Sequence, residues 1–358
     1  MYGTHSILSS LRAFDAQNVL TYGEDKLFED FRRALNAHNR MVEDMVAPLV
    51  EVTDDRVRRY GTEMRQFMIE ADEYTRADAQ KIAPAGVDIG FPLRVYQASL
   101  QWTRKYLQVA TVGEVADRYV AVERADAAQV RAVVQRALFT PTNNLTYKDR
   151  MIDGITLPLR ALLNADSAAI PDNEFGVTFD GATHNHYLGT ASLVAADITS
   201  AVNTVVEHGI TGTLRIYINR AQEAAVTAMA NFDAYQQPMI SPGGGSTADV
   251  TGQNIQPFSI YDRAIGVWDG AIEVWVKPWI PASYILVIDI DPAYRVLARR
   301  HREGQPGLDA LQIVAEDEKY PLRAQTMERE FGVSVWTRHK AAILYAGNAT
   351  YAAPTFTN

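Results

Sequence analysis

Cysteine is absent from the 358-residue chain, and so is any long apolar run. The first absence excludes disulfide bonds, thiolate metal sites and cysteine nucleophiles, so packing, hydrogen bonds or pairing of chains must hold the fold. The second means that no segment approaches the roughly 18 apolar residues of a membrane span, and we expect no membrane partner. The opening stretch MYGTHSILSSLRAF lacks the basic start and apolar core of a secretory signal, which predicts a product that stays in the cytoplasm.

Positive charge is also scarce. The formal net charge is −9, which argues against a general phosphate-binding surface but leaves local basic patches open. Arginine far outnumbers lysine, and its planar fork suits fixed contacts between surfaces, although a nucleotide bias in the gene gives the same excess. No internal repeat is visible. The length, with 47% hydrophobic and 22% charged residues, predicts a soluble globular protein of two lobes or one elaborated domain.

The longest helical pattern runs from Thr111 to Phe139. Thr111 and Glu114 form one capping-box pattern, and Asp126 and Gln129 form a second. Apolar residues recur between and after them at steps of three and four, which predicts one helix or two collinear helices. We take this element as the backbone of the fold. Its predicted outer face carries Arg118, Glu123, Arg124, Arg131 and Arg136.

The N-terminal region has a helical pattern of its own. Residues 24–49 keep a seven-residue rhythm of the kind found in a short coiled-coil seam. A second run, from Val57 to Tyr74, follows a break at residues 53–55. Two helices are predicted. We expect them to pack on another subunit or on another part of the same chain, because helices with so narrow an apolar face are seldom stable alone.

Residues 81–110 change from helical to strand periodicity. In the segment GFPLRVYQASLQWTRKYLQV, Phe91, Leu93 and Val95 alternate as in a strand. This pattern predicts a long two-stranded hairpin before the central helix. Since an isolated hairpin is marginal in water, it must lie on another surface.

The remaining segments alternate between helix and strand. A loop-rich region at 140–189 precedes a helix from about Thr190 to His208, then a strand, LRIYIN, and a helix that Asn219 caps and that reaches about Phe232. The composition of residues 241–257 predicts a flexible, glycine-rich surface loop. Later segments predict a hairpin at Asp269–Gly270, an interior strand YILVIDI, and alternating strands over 308–346. The mixed order indicates an α+β fold.

Two pairs of side chains are candidate metal ligands. His184 and His186 stand two apart in THNHYLG, which would place both imidazoles on one face of a strand, but no third ligand lies nearby in sequence. Hydrogen bonding at a bend is the favoured interpretation. Asp289 and Asp291 form a DxD pattern like that of sugar-nucleotide transferases. Because Asp291 precedes Pro292 and the helical pattern YRVLARR, capping of a helix is favoured there.

No other motif indicates an active site. Glycines 243–245 lack the GK[ST] of a phosphate loop, and no GxSxG elbow is present. Residues 316–319 predict a solvated turn. The alternating Arg323, Gln325, Met327 and Arg329 predict either an intermolecular sheet register or an ordinary exposed strand face. The sequence therefore predicts no catalytic, cofactor-binding or metal-binding residue.

The order of these elements resembles the major capsid protein of tailed bacteriophages, whose shell fold encapsulins share. The similarity covers roughly residues 81–346: the extended loop GFPLRVYQASLQWTRKYLQ before a long spine helix, then YINRAQEAAVTAM, GVWDGAIEVWVKPWIPA, YILVID and PLRAQTMEREFGVSVWTRHKAAILY. The resemblance implies an N-terminal helical arm (1–80), an extended β-hairpin loop (81–110), a peripheral domain with the spine helix (111–189), an axial domain (190–307), and peripheral strands with a C-terminal tail (308–358).

The resemblance also implies a function. A non-enzymatic major capsid protein self-assembles as pentamers and hexamers into an icosahedral head around double-stranded DNA, in the virion, after assembly in the host cytoplasm. Its expected partners are copies of itself and portal, scaffold and decoration proteins, with the acidic chain contacting DNA only weakly. Some relatives join subunits through Lys–Asn isopeptide bonds, and nothing in the sequence selects Lys81 or Lys105 with Asn348 for such a bond.

Two alternatives remain open from the sequence. An encapsulin-like shell would enclose a cargo enzyme in place of DNA. An unrelated α+β transferase would use a metal ion held by Asp289 and Asp291, and would be soluble as a monomer.

Overall fold

A computed structural model describes residues 16–61, 70, 86–173, 176–210, 212–235, 262–304 and 307–356. The predicted glycine-rich loop at 241–257, Lys81 and most of the second N-terminal run lie outside these ranges. The helices are α1 (Val19–Tyr22), α2 (Glu24–Val46), α3 (Arg104–Val109), α4 (Val112–Phe139), α5 (Ala195–Val206) and α6 (Arg220–Thr227). The strands are β1 (Val50–Thr53), β2 (Val57–Tyr60), β3 (Val87–Gly90), β4 (Arg94–Thr103), β5 (Asn144–Lys148), β6 (Thr156–Leu159), β7 (Tyr187–Thr190), β8 (Leu214–Ile218), β9 (Phe232–Ala234), β10 (Arg263–Trp268), β11 (Ile272–Val276), β12 (Tyr284–Asp289), β13 (Leu297–Arg300), β14 (Gln312–Asp317), β15 (Leu322–Val335) and β16 (Ala341–Ala346).

A seven-stranded sheet has the order β7-β16-β12-β8-β11-β10-β9. The predicted interior strand YILVID is β12, and every residue of it is buried because apolar clusters cover both faces. The predicted hairpin is confirmed between β10 and β11. Asp269 and Gly270 have φ angles of 48° and 68°, the left-handed pair that a type I′ turn requires.

The second sheet is organised by the 14-residue strand β15. This strand pairs along Leu322–Phe331 with β4 and on its other side with β14 and β13, while β1 lies parallel to β13. The predicted hairpin within residues 81–110 is therefore wrong. The two strands in this segment, β3 and β4, are joined by a connection that contains Phe91 and Leu93. Both side chains are fully buried, so the connection enters the core and cannot be an exposed turn.

The strand β3 pairs with β2 from the preceding segment instead. Val57 and Tyr60 are thus on a strand, and the predicted second helix is wrong over residues 57–60. The connection between β3 and β4 passes close against β15, which explains a glycine: a Cβ at Gly332 would overlap the carbonyl oxygen of Pro92.

The central helix α4 is a single continuous helix. Its first capping box is confirmed, since the Thr111 hydroxyl accepts from the Glu114 N–H at 3.3 Å and the Glu114 carboxylate accepts from the Thr111 N–H at 3.0 Å. The second box is wrong. Asp126 is buried inside the helix, where its carboxylate binds residues of other elements. Glu123, predicted on the outer face, is also buried.

The N-terminal helix α2 packs on its own chain. Its apolar face joins Trp102 of β4 and Tyr119 of α4 in one cluster, in which Phe31 stacks on Tyr119 with ring centroids 3.8 Å apart. The Arg323 guanidinium lies 3.8 Å from the centroid of the Phe28 ring, a cation–π contact. Of the two packing arrangements expected for this helix, the structure has the one within the chain.

Two predicted helix boundaries shift, and one predicted helix is absent from the described residues, because strands form nearby. Helix α5 begins at Ala195 and not at Thr190, which ends β7. Helix α6, capped by Asn219 as predicted, ends at Thr227, because Phe232 begins β9. The helix predicted after Pro292 is instead strand β13, all of it buried. None of the described helices has the length and apolar character needed to cross a bilayer.

Burial of Glu123 gives a testable pH dependence. Removal of its carboxyl from water, with a smaller contribution from Asp126, raises the pKa of Glu123 from 4.5 to about 7. Between these two values the native state keeps a proton that the unfolded state has lost, so this group's contribution to stability is complete below pH 4.5 and is lost as the pH rises to 7.

We therefore expect Glu123→Gln to match the wild type near pH 4 and to exceed its free energy of unfolding by about 1–3 kcal/mol at pH 8. Urea unfolding at both pH values measures the difference. Asp117→Asn, which removes an exposed carboxylate from the same helix, is the control. A Glu123→Gln difference that is the same at both pH values contradicts the assignment.

Candidate functional site

The two aspartates of the DxD pattern are held by a lysine. Asp289 is buried, and its carboxylate accepts from the Lys340 ammonium at 2.8 Å and from the Asp291 N–H at 3.0 Å. Asp291 caps the following turn through the Ala293 N–H and lies 3.8 Å from the same ammonium. A divalent ion at this place would have to displace a cation that already neutralises the pair. Asp291 therefore caps a turn, and the predicted capping of a helix is wrong because no helix follows within the described residues.

Three histidines converge where the sequence predicted two. The Nε2 atoms of His184 and His186 are 3.0 Å apart, and the Nε2 of His208 lies 2.9 Å from the first and 3.0 Å from the second. His184 and His186 precede β7, whereas His208 follows the last turn of α5. The local sequence around His184 gives no sign of the third ring, because helix α5 separates His208 from His186 in the chain.

The surroundings of this cluster keep the imidazoles neutral. Burial lowers the pKa of His184 and His186, the latter well below its usual value, and lowers the pKa of His208 to about 2. His339 lies against His208, with ring centroids 5.3 Å apart, and burial lowers its pKa to about 3. Phe179 covers the rings of His184 and His208 at 5.1 and 4.2 Å. The expected hydrogen bonding at a bend is thus only part of the arrangement.

The alternating residues of β15 face the inside of the chain. Arg323, Gln325, Met327 and Arg329 are all buried. They pack beneath helices α2 and α4, so both predicted roles, an intermolecular register and an exposed face, are wrong. The predicted solvated turn at 316–319 begins inside β14, and it is partly engaged: Glu316 pairs with Arg32 at 2.8 Å and Glu318 with Arg323 at 2.9 Å.

The most extensive polar contact in this layer joins Asp126 and Arg329. The guanidinium donates to both carboxylate oxygens at 2.7 and 2.8 Å, and His38 bonds the same carboxylate at 2.7 Å. Arg329 also donates to Asn39 and to the Asp309 carbonyl oxygen. Burial alone would raise the pKa of Asp126, but the hydrogen bonds from His38 and Arg329 hold it below its ordinary value. The arm, the central helix and β15 are thereby joined.

The β5–β6 hairpin carries an exposed apolar surface. Leu145, Met151, Ile152 and Ile155 are between 41% and 54% exposed, and we name these four residues the hairpin patch. Four large apolar side chains within twelve positions of one excursion exceed the scattered exposure normal for a monomer. The hairpin patch is therefore a candidate docking surface.

Ion pairs at its base hold the hairpin in place. Asp149, fully buried, accepts from Arg300 at 2.9 Å and pairs with Arg56 at 3.2 Å, and Arg56 also binds Asp153 within the loop. The Asp149 carbonyl oxygen accepts from the Gly154 N–H at 2.9 Å, which closes the turn. A fixed apolar surface loses little conformational entropy on binding.

A second exposed apolar surface lies where α1, α3 and the turn before β15 meet. Leu20, Val109 and Tyr320 are 63%, 74% and 78% exposed, and we name them the α1–α3 patch. Backbone hydrogen bonds bring their neighbours together: Val19 N–H to the Ala110 carbonyl oxygen at 3.1 Å, and Arg104 N–H to that of Pro321 at 2.8 Å.

An open groove of about 800 Å³ separates β4 from the hairpin. Arg94, Arg136, Lys148 and Arg150 are among its lining residues, and no acidic residue lines it within the described chain. We name it the basic groove. It is a local positive site on a chain of net charge −9, which suits contact with an acidic partner.

The comparisons with known proteins concern structure alone. No family model matches the sequence, and no curated protein matches it. A chain from Mycobacterium phage Patience is 20% identical, covers 92% of this chain and 90% of its own length, and superposes with a TM-score of 0.67. The capsid of a native GTA particle (13% identity, 85% and 89% coverage, TM-score 0.45) and the holo-SrpI encapsulin complex from Synechococcus elongatus (9%, 88% and 90%, 0.43) are also similar.

The likeness to the phage Patience chain establishes the fold. The phage Patience match extends over nearly the full length of both proteins, so the arm, the two sheets and the central helix belong to one shared architecture. The predicted α+β class is confirmed.

Proposed function

We propose, from the phage capsid shell fold that this chain has and that encapsulins share, that it is a structural shell subunit. Copies of the chain assemble as pentamers and hexamers into an icosahedral phage head that encloses double-stranded DNA. The chain then resides in the virion after assembly in the host cytoplasm, and has no enzymatic activity.

The observation that carries the proposal is the whole-length match. The alignment with the phage Patience chain covers 92% of this chain and 90% of the phage chain, so neither has a large unmatched segment. The match leaves little of the chain for an additional catalytic domain. The Lys340 pairing of Asp289 and Asp291 further weakens the transferase alternative.

The exposed surfaces supply contacts of the required kind. Permanent assemblies bury well over about 1,000 Å² per contact and use apolar surface to do so. The hairpin patch and the α1–α3 patch are apolar and lie on different elements, one on the β5–β6 hairpin and the other on two helices and a turn, so one chain can engage more than one neighbour. The basic groove beside the hairpin would receive an acidic surface of the adjoining copy.

The domain division follows the same proposal. Residues 81–110 connect the arm to the spine helix, residues 111–189 and 308–358 form the peripheral domain, and residues 190–307 form the axial domain. Portal, scaffold and decoration proteins are the further partners. The acidic balance of the chain suits a lining that binds DNA weakly.

Light scattering on the purified chain tests the proposal. We expect particles with a mass hundreds of times the 39.7 kDa of one chain. A mass of one or a few chains at every concentration contradicts a shell. The contents of particles isolated from their natural source then separate a genome from cargo: DNA supports the phage head, and an enclosed enzyme indicates the encapsulin-like alternative.

A further inference from the structure

We propose that His184, His186 and His208 bind one divalent transition-metal ion, with Zn²⁺ as the ion that best fits. The site is independent of the shell function. It lies at the edge of the seven-stranded sheet, between the start of β7 and the end of α5.

Hydrogen bonding cannot account for the contact among the three rings. Each ring nitrogen directs a single proton or a single lone pair outward in the ring plane. Three Nε2 atoms that lie 2.9–3.0 Å from one another form three close pairs, and they have too few protons and lone pairs to make each pair a well-directed hydrogen bond. A cation between them uses all three lone pairs together.

The tautomer of His186 is fixed by its other nitrogen. Nδ1 lies 2.7 Å from the Ala341 carbonyl oxygen, which can only accept, so Nδ1 carries the proton and Nε2 presents a lone pair to the cluster. A metal-ligating histidine typically donates its second N–H to such a carbonyl group. His186 is also fully buried, and its backbone bonds to Leu163 and Ile343 fix its position.

The donor set indicates the class of metal. Imidazole nitrogens suit Zn²⁺ and its neighbours in the first transition row, whereas Mg²⁺ and Ca²⁺ prefer oxygen ligands. With Zn–N bonds of about 2.0–2.1 Å, tetrahedral ligand nitrogens lie about 3.3–3.4 Å apart, so the rings need to separate by only a few tenths of an ångström. Glu207, whose Oε1 is 3.6 Å from the His184 Nε2, or a water molecule would be the fourth ligand.

The ion would join two parts of the chain. His184 and His186 belong to the proposed peripheral domain and His208 to the proposed axial domain, so one bound ion would tie the end of α5 to the sheet edge beside β16. This consequence rests on the proposed domain division, whereas the site itself does not.

The test uses the full-length chain without a polyhistidine tag, stripped with EDTA and dialysed. Titration with ZnCl₂ is expected to show about one bound ion per chain and to raise the melting temperature by a few degrees. CoCl₂ in place of zinc is expected to give the intense visible absorption of tetrahedral Co²⁺. Absence of stoichiometric binding by the wild type overturns the proposal.

Variants locate the site. His184→Gln, at a partly exposed position, and His208→Gln are each expected to lower zinc affinity at least about tenfold and to remove the cobalt spectrum. His301→Gln removes a histidine outside the cluster and is expected to bind like the wild type. Melting curves of the metal-free variants check that they fold. Equal binding by folded His184→Gln, His208→Gln and His301→Gln contradicts the assignment.

Discussion

Replacement of Arg329 by methionine is expected to lower the free energy of unfolding by about 3–5 kcal/mol. The guanidinium of Arg329 is buried against both oxygens of Asp126. Methionine keeps much of the apolar volume but leaves the carboxylate of Asp126 buried with only His38 beside it. The cost is thus mainly that of an uncompensated charge. Urea or thermal unfolding measures it.

A surface arginine provides the control for this prediction. Arg33 on α2 pairs with Glu29 at 2.8 Å while both side chains remain mostly exposed. Because water screens such a pair, Arg33→Met is expected to cost no more than about 0.5 kcal/mol. If Arg329→Met costs as little as Arg33→Met, the buried pair does not join the arm, the central helix and β15 as described.

The double variant Ile152→Asp/Ile155→Asp is expected to prevent assembly and to leave the subunit folded. Both side chains are about half exposed in the single chain, so their loss costs the isolated fold little. In an assembled contact, each half-exposed isoleucine would contribute about 0.7–1.5 kcal/mol of further apolar burial. Losing both, and burying two carboxylates, is expected to weaken the contact more than about a hundredfold. Sedimentation and circular dichroism measure assembly and folding separately.

The matched variant Ile152→Val/Ile155→Val keeps the apolar surface and is expected to assemble. If the aspartate variant forms the same particles at the same concentration as the wild type, the hairpin patch is not a subunit contact. Unfolding of the aspartate variant while the valine variant remains folded would also contradict its placement on an exposed surface.

Local sequence patterns predicted most elements of the fold. The Thr111 capping box, the Asn219 cap and the Asp269–Gly270 turn depend on residues within a few positions of one another, and each is present in the structure. The fully apolar YILVID is an interior strand for the same reason: burial on both faces requires apolar residues at every position.

Pairing between distant segments was not predictable in this way. Strand β4 was predicted to pair within its own segment, but it pairs with β15, more than 200 residues later. The alternation of apolar and polar residues in β4 does not identify the strand that pairs with it, because any strand with a compatible face could do so. The prediction for Arg323 and Arg329 on β15 was wrong for a related reason. A buried arginine cannot be distinguished from an exposed one in sequence until its carboxylate partner is known.

The histidine cluster was also only partly predictable from the sequence, because its residues come from separate segments. The pair His184 and His186 was visible in sequence, but the third ring is brought in by the end of α5 after the chain has turned back. The only sequence signal for His208 was its position at the end of a helix. A metal site assembled from separate elements cannot be recognised from ligand spacing alone.

Electron micrographs of the purified full-length chain test the shell assignment most directly. Closed particles of one uniform diameter are the predicted result, because identical subunits with the phage capsid shell fold must close by symmetry. Small discrete particles, with no closed shells under any assembly condition, would contradict the assignment.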